Sequence, residues 1–268
     1  MTAVTNPTLG VLGCGTMASA MVERWLDAAL MNVSDLSVST RRKSSPALAR
    51  IGIEPSSNQS VVDGSDVILL GIKPYQLEAV TSGVEFRADQ VVLSILAGTP
   101  FETLKAAVAP AFAVRLMPNL AVRLGKGIVA EVGVSDLVQQ QRDWVRTALD
   151  ALGTVVSLPD ETLFDGVTAL AGSAPAFCFV FAQALADAGV LQGLSRSESQ
   201  SLAAGVLEGA GALLRQSDLS PEILKDRVAS PKGTTISGLR ALEARGFRSA
   251  VIEAVAASAN RSAELSKG

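Results

Sequence analysis

The stretch Gly13-Cys14-Gly15-Thr16-Met17-Ala18 constrains this 268-residue chain more than any other feature. It follows an apolar run, Leu9 to Leu12, and opens a segment of helical pattern, so its G-x-G-x-x-G/A spacing stands in a strand-turn-helix context. The first glycine permits a tight turn, the second lets a pyrophosphate approach the backbone, and the small third residue allows close packing of helix on strand. Free N–H groups and the positive end of the helix dipole then attract phosphate. A dinucleotide-binding fold is the expectation, and a Gly-rich turn of some other α/β protein is the alternative. Cys14 reads as a small filler residue.

The same rhythm continues along the first half of the chain. Apolar runs at Leu9 to Leu12, Leu36 to Thr40, Val67 to Ile72, Val91 to Leu96, Ala111 to Arg115, Ile128 to Glu131 and Thr154 to Leu158 read as strands, with helical patterns between them. Alternating β and α elements with near-continuous apolar strands predict an α/β fold, a Rossmann-type doubly wound parallel sheet covered on both faces. After Pro159 no strand-like run remains. Helical patterns take over at Thr162 to Leu170, Pro175 to Ala188, Arg196 to Gln216, Pro221 to Ala229 and Thr235 to the end. The predicted domains are 1–158, which binds the dinucleotide, and 159–268, which is all-helical. Residues 176–188 and 201–214 are apolar around most of their circumference, which points to burial in a subunit interface or inside a larger single core.

Composition narrows the partners. The net charge of -3 and the scattered basic residues leave no footprint for nucleic acid or an anionic membrane, so a small molecule is the expected partner. No signal-peptide pattern marks residues 1–8, and the most apolar run, 174–182, is too short to span a bilayer, which predicts a cytoplasmic protein. Cys14 and Cys178 lie far apart, and no disulfide is expected. The chain has no histidine, which removes the commonest general acid/base and metal ligand; no metal site is expected.

In NAD-specific folds an acidic residue about 20 positions beyond the glycine turn binds the ribose hydroxyls. Here that place reads Ser39-Thr40-Arg41-Arg42-Lys43. Two guanidiniums in place of a carboxylate suit the 2'-phosphate of NADP, because arginine binds phosphate bidentately; a solvated basic loop is the alternative. NADPH is therefore expected over NADH. Gly71-Ile72-Lys73-Pro74 and Ile95-Leu96-Ala97-Gly98 close two further strands towards the same crevice.

One segment in the second half carries a more specific signal. Ser230-Pro231-Lys232-Gly233-Thr234-Thr235-Ile236-Ser237-Gly238-Leu239 resembles the signature of pyrroline-5-carboxylate reductases. Gly71-Ile72-Lys73-Pro74 is similar to that family's AVKP, Arg115-Leu116-Met117-Pro118-Asn119 to its R-x-MPN, and 170–177 (LAGSAPAF) to its LSGSGPAY; 184–189 and 246–252 match as well. The resemblance implies an all-helical dimerisation domain, homodimers that assemble into larger rings, and transfer of hydride from NADPH or NADH to the C=N carbon of 1-pyrroline-5-carboxylate, giving L-proline. It implies cofactor contacts at Leu12, Gly13, Cys14, Gly15, Thr16, Met17, Thr40, Asn58, Gly71, Ile72, Lys73, Pro74, Ile95, Leu96 and Ala97. It places substrate contacts at Ser230, Gly233, Thr234 and Thr235, with Asp218 as an acidic neighbour and Asn119 close by. Ser230, Thr234 and Thr235 are the expected catalytic hydroxyls, Thr235 foremost, although an ordinary helix N-terminus favours the same residue types.

Three positions depart from the family pattern. Ala174 stands for the second glycine of the GSGP turn, Lys232 for a glycine of the substrate loop, and Leu120-Ala121 for the TP that follows MPN. They keep two alternatives open: a reductase of another cyclic imine, and a non-catalytic NADP-binding paralogue. A β-hydroxyacid dehydrogenase shares this plan but needs a lysine on a helix of the second domain, and 175–189 contains none.

Overall fold

The computed structural model describes residues 7–41 and 46–265. In the first part of the chain the elements are β1 (Leu9–Leu12), α1 (Thr16–Asp27), β2 (Leu36–Ser39), α2 (Pro46–Ile51), α3 (Asn58–Asp63), β3 (Val67–Leu70), α4 (Leu77–Thr81), β4 (Val91–Ser94), α5 (Phe101–Val108), β5 (Phe112–Pro118), β6 (Gly127–Val132), α6 (Gln139–Asp150) and β7 (Gly153–Ser157). Helices α7 (Phe164–Val167), α8 (Ala174–Leu191), α9 (Arg196–Gln216), α10 (Pro221–Val228), α11 (Thr234–Ala244) and α12 (Phe247–Leu265) follow.

The seven strands form one sheet in the order β2-β1-β3-β4-β5-β6-β7. Strand residues alternate between two apolar cores: Val11, Leu69, Leu93 and Val114 join one, while Leu12, Ile68, Leu70 and Val92 join the other. That period of two on strands buried on both faces is why the runs read as continuously apolar. Trp25 of α1 is fully buried, and its Nε1 donates to the Ala148 carbonyl at 2.7 Å, which joins α1 to α6.

The sheet is parallel as predicted except for one antiparallel pair, β5 with β6. Residues 119–126 between these strands hold only a short 3₁₀ turn, and a parallel return needs a crossover of a dozen residues or more. Residues from Thr235 onward were read as one helix, but Gly246, with φ +69°, separates α11 from α12. A left-handed residue there ends the helix, and glycine adopts it without a Cβ clash.

The chain also divides into two compact units. Gly172 closes the first unit and Ser173–Ser258 form the second, with residues from Ala259 rejoining the first. Side-chain ties explain why 161–172 stays with the sheet. Arg115 Nη1 on β5 donates to Glu161 Oε2 at 2.6 Å, and the same oxygen accepts from the Phe101 backbone at 2.7 Å. The Arg115 guanidinium lies 4.2 Å from the centre of the Phe164 ring, and Ser262 Oγ donates to Asp165 Oδ1 at 2.6 Å.

A π-helical segment, Thr168–Ser173, joins α7 to α8, so the gap expected between 170 and 175 is absent. The helical stretch Glu161–Leu191 is 31 residues long, enough in length and apolarity to cross a membrane, which corrects the estimate from 174–182. In the second unit α8 packs on α9, yet α8 buries only Ala186, and α9 only Ser199 and Ala203. Phe179 is 70% exposed and Leu213 60%. Burial of this apolar surface inside the chain's own core is thereby excluded.

Replacing Arg115 by Met should leave the Glu161 carboxylate with the Phe101 N–H as its partner and cost about 1.5–3 kcal/mol, the range for a hydrogen bond to a charged group. Urea unfolding of the variant checks this, and an unchanged midpoint would deny the ion pair its part in fixing 161–172.

Candidate active site

The first unit opens at the carboxyl ends of β1, β2 and β3, where an open α/β sheet offers its crevice. Gly13 turns the chain with φ +89°, and its N–H donates to the Ser39 carbonyl at 2.8 Å. Gly71 N–H donates to the Leu12 carbonyl at 2.9 Å, so the ends of β1 and β3 are in close contact. A Cβ on Gly71 would lie 2.5 Å from the Gly13 oxygen and 2.8 Å from Ala18 Cβ. Glycine at 71 and a small residue at 18 are therefore steric requirements. At Gly15 a Cβ would meet nothing within 4 Å. That residue caps α1 without any side-chain hydrogen bond, leaving the first N–H groups of a 12-residue helix for a ligand.

A crevice of about 1000 Å³ lies over this turn. Of the predicted cofactor residues, Leu12, Gly13, Cys14, Gly15, Thr16, Thr40, Arg41, Asn58, Gly71, Ile72 and Lys73 line it. Met17 packs against a hydrophobic core, and Pro74 is exposed outside the lining. Ile95, Leu96 and Ala97 also lie outside it, because Leu96 turns into the core and Ile95 packs against the other one. Arg42 falls outside the described residues. Sequence reasoning missed Ser39, Arg50, Tyr75 and Gln76, which line the crevice from elements following the motifs. The lining includes three cations, Arg41, Arg50 and Lys73, and no carboxylate among the described residues. A dinucleotide's phosphates fit this site on both steric and electrostatic grounds.

Two of these residues have an evident structural task. Asn58 Oδ1 accepts from Ser39 Oγ, tying α3 to the end of β2. Burial, then the Glu23 carboxylate, raises the Cys14 thiol above its ordinary pKa, which keeps it protonated and unreactive. Asn119 has a structural task as well. It is 7% exposed; its Nδ2 donates to the Ala171 carbonyl at 3.0 Å, and its Oδ1 accepts from the Ala121 and Ile128 backbones. With these bonds made, Asn119 clamps the turn after β5.

In the second unit, Ser230 to Gly233 form a turn closed by Gly233 N–H on the Ser230 carbonyl at 3.0 Å. A Cβ on Gly233 would collide with Ser230 Oγ. Gly233 caps α11 with no side-chain hydrogen bond. Among the described residues the hydroxyls of Ser230, Thr234 and Thr235 have no hydrogen-bond partner in the chain. Asp218 is exposed between α9 and α10. Lys232 adopts φ +58°, the third position of a turn with proline second, where glycine is preferred.

Known proteins resemble this chain over nearly its whole length. A family model described as pyrroline-5-carboxylate reductase dimerisation matches residues 161–265, and one described as NADP oxidoreductase, coenzyme F420-dependent, matches 8–98. The pyrroline-5-carboxylate reductase of a Synechocystis strain is 36% identical over 97% of this chain and 98% of its own length. The chain belongs to the pyrroline-5-carboxylate reductase family. The enzyme of the same name from Methanosarcina acetivorans is also 36% identical, over 98% of this chain and 99% of its own. Among solved structures, the Plasmodium falciparum pyrroline carboxylate reductase with NADP bound matches at TM-score 0.86 and 26% identity, covering 97% of this chain and 98% of its own. Family membership makes the chain an NAD(P)-dependent oxidoreductase and makes its helical part a dimerisation domain, which accounts for the apolar surface on α8 and α9.

The contacts at the glycine turn and at the Ser230 to Gly233 turn predict opposite responses to small changes. Gly71→Ala should lose about 1–3 kcal/mol through overpacking, whereas Gly15→Ala should stay within about 0.5 kcal/mol because chain entropy offsets the weaker cap. Lys232→Gly should gain about 1 kcal/mol by relieving the left-handed backbone. Thermal melts of the three variants test the set; a Gly71→Ala protein as stable as the parent would contradict the close approach of β1 and β3.

Proposed function

We propose that the chain carries out its family's reaction, reduction of the C=N bond of 1-pyrroline-5-carboxylate to L-proline, the last step of proline synthesis, with NADPH preferred over NADH. The observation that carries the proposal is the presence in one chain of a cationic crevice on the glycine turn, with no carboxylate among its described residues, and of an uncapped, hydroxyl-bearing helix start at Ser230 to Thr235. The bound dinucleotide supplies the hydride. Leu12 to Thr16, Asn58 and Gly71 to Lys73 hold it, and Arg41 favours the form with a 2'-phosphate.

The chain's remaining task is to hold and orient the imine. Backbone N–H groups at the start of α11 and the hydroxyls of Ser230 and Thr234 bind the substrate carboxylate. Thr235 contacts the ring nitrogen, and Asp218 supplies a negative charge to that neighbourhood. The imine nitrogen takes its proton from solution, so the iminium carbon accepts hydride while the nitrogen keeps the proton as the amine forms. No strong acid is needed, which suits a chain without histidine. Catalysis is then mainly positioning. We further propose that dimers through the helical domain assemble into larger rings, and that the protein works in the cytoplasm without membrane or nucleic acid.

A second reading, reduction of a different cyclic imine, is favoured by one observation: Lys232 places an ammonium-bearing side chain in the substrate loop at a strained position. NADPH oxidation measured on a panel of cyclic imines separates the two readings, with 1-pyrroline-5-carboxylate expected to react fastest. Preference for another ring would favour the second reading. Thr235→Ala should lower kcat by about 10²-fold, the scale for removal of one oriented donor, while NADPH affinity is kept. Undiminished kcat would remove Thr235 from its role.

A further inference from the structure

Arg50 belongs to no motif, and nothing in the sequence marks it as functional, yet it lines the crevice together with Thr40 and Arg41. Its helix, α2, is anchored by Leu48 and Ile51, which are 3% and 6% exposed. The Arg50 side chain is 53% exposed at the crevice and is held from behind by α1. Its Nε donates to Glu23 Oε1 at 3.0 Å, and its Nη2 lies 2.8 Å from the same oxygen. Glu23 is itself 16% exposed and is steadied by Arg123, whose Nη2 lies 3.4 Å from Glu23 Oε2. Glu23 engages one edge of the guanidinium. The rest of its five N–H donors remain for a ligand in the crevice.

We propose that Arg50 is a specificity-determining residue that, with Arg41, clamps the 2'-phosphate of NADPH. This rests on the reading of the crevice as the dinucleotide site. NADH brings a pyrophosphate that the glycine turn accommodates and offers nothing to a second arginine at the β2 end. The 2'-phosphate is a dianionic group with three acceptor oxygens, which two guanidiniums match in charge and in fork geometry. The Glu23 contact keeps the Arg50 side chain from searching many rotamers, so less entropy is lost when phosphate binds.

The test is calorimetric titration of the full-length protein with NADPH and with NADH, for the parent, Arg50→Gln and Arg50→Lys, with a melting curve for each. Arg50→Gln should lower the ratio of NADPH to NADH affinity by about 10- to 100-fold, the range for lost charge-assisted hydrogen bonds. Arg50→Lys should recover part of that loss, because it restores the charge without the fork. A ratio unchanged in Arg50→Gln overturns the proposal, whether both affinities hold or fall in parallel as a merely structural role requires. A parent protein that binds neither dinucleotide overturns the reading of the crevice itself, and the proposal with it.

Discussion

The close approach of β1 and β3 at Gly13 and Gly71 is the constraint on which the rest depends. Their backbones come so near that a Cβ at 71 would press on the Gly13 oxygen, and Ala18 at the start of α1 leaves no more room. Because the strands meet this tightly, α1 begins directly over the end of the sheet, and its uncapped N–H groups face the crevice. The same packing fixes Trp25 against α6 and so ties the distal strands to the nucleotide half of the sheet.

Polar ties extend this frame in directions that apolar packing does not specify. Arg115 reaches from β5 to Glu161, and Asn119 reaches from the following turn to Ala171; between them they hold the first helical residues of the second half to the sheet. A buried arginine left without its carboxylate carries a desolvation penalty, so this tie is selective for one arrangement. Glu23 does comparable work for Arg50, holding its guanidinium where it lines the crevice. The division of labour is consistent: apolar alternation builds the layers, and ion pairs choose how loops and short helices attach to them.

The strands were legible because most bury both faces and so read as apolar runs; all seven expected runs became strands, the half-exposed β7 included. The glycine turn was legible because its steric demands leave few residue choices. The direction of β6 was not, since apolar periodicity is blind to strand polarity and only the short connection reveals it. The end of α11 at Gly246 was missed because the helical pattern continues across it and a left-handed residue has no periodic signature. Arg50, Tyr75 and Gln76 carried no signal at all, because they join the crevice through the placement of α2 and of the turn after β3.

By itself, then, the sequence determined the alternating layers, the phosphate-binding turn, the likeness to an imine reductase and the apolar helices of a dimerisation domain. These are local properties, written in spacing and in which residues tolerate a given backbone. Tertiary structure alone decided that Asn119 is a clamp, that Leu96 belongs to the core, that residues 161–172 stay with the sheet, and that Arg50 lines the same crevice as Arg41. Each of those depends on contacts between segments far apart in the chain, and a one-dimensional pattern does not encode which distant group satisfies a polar side chain.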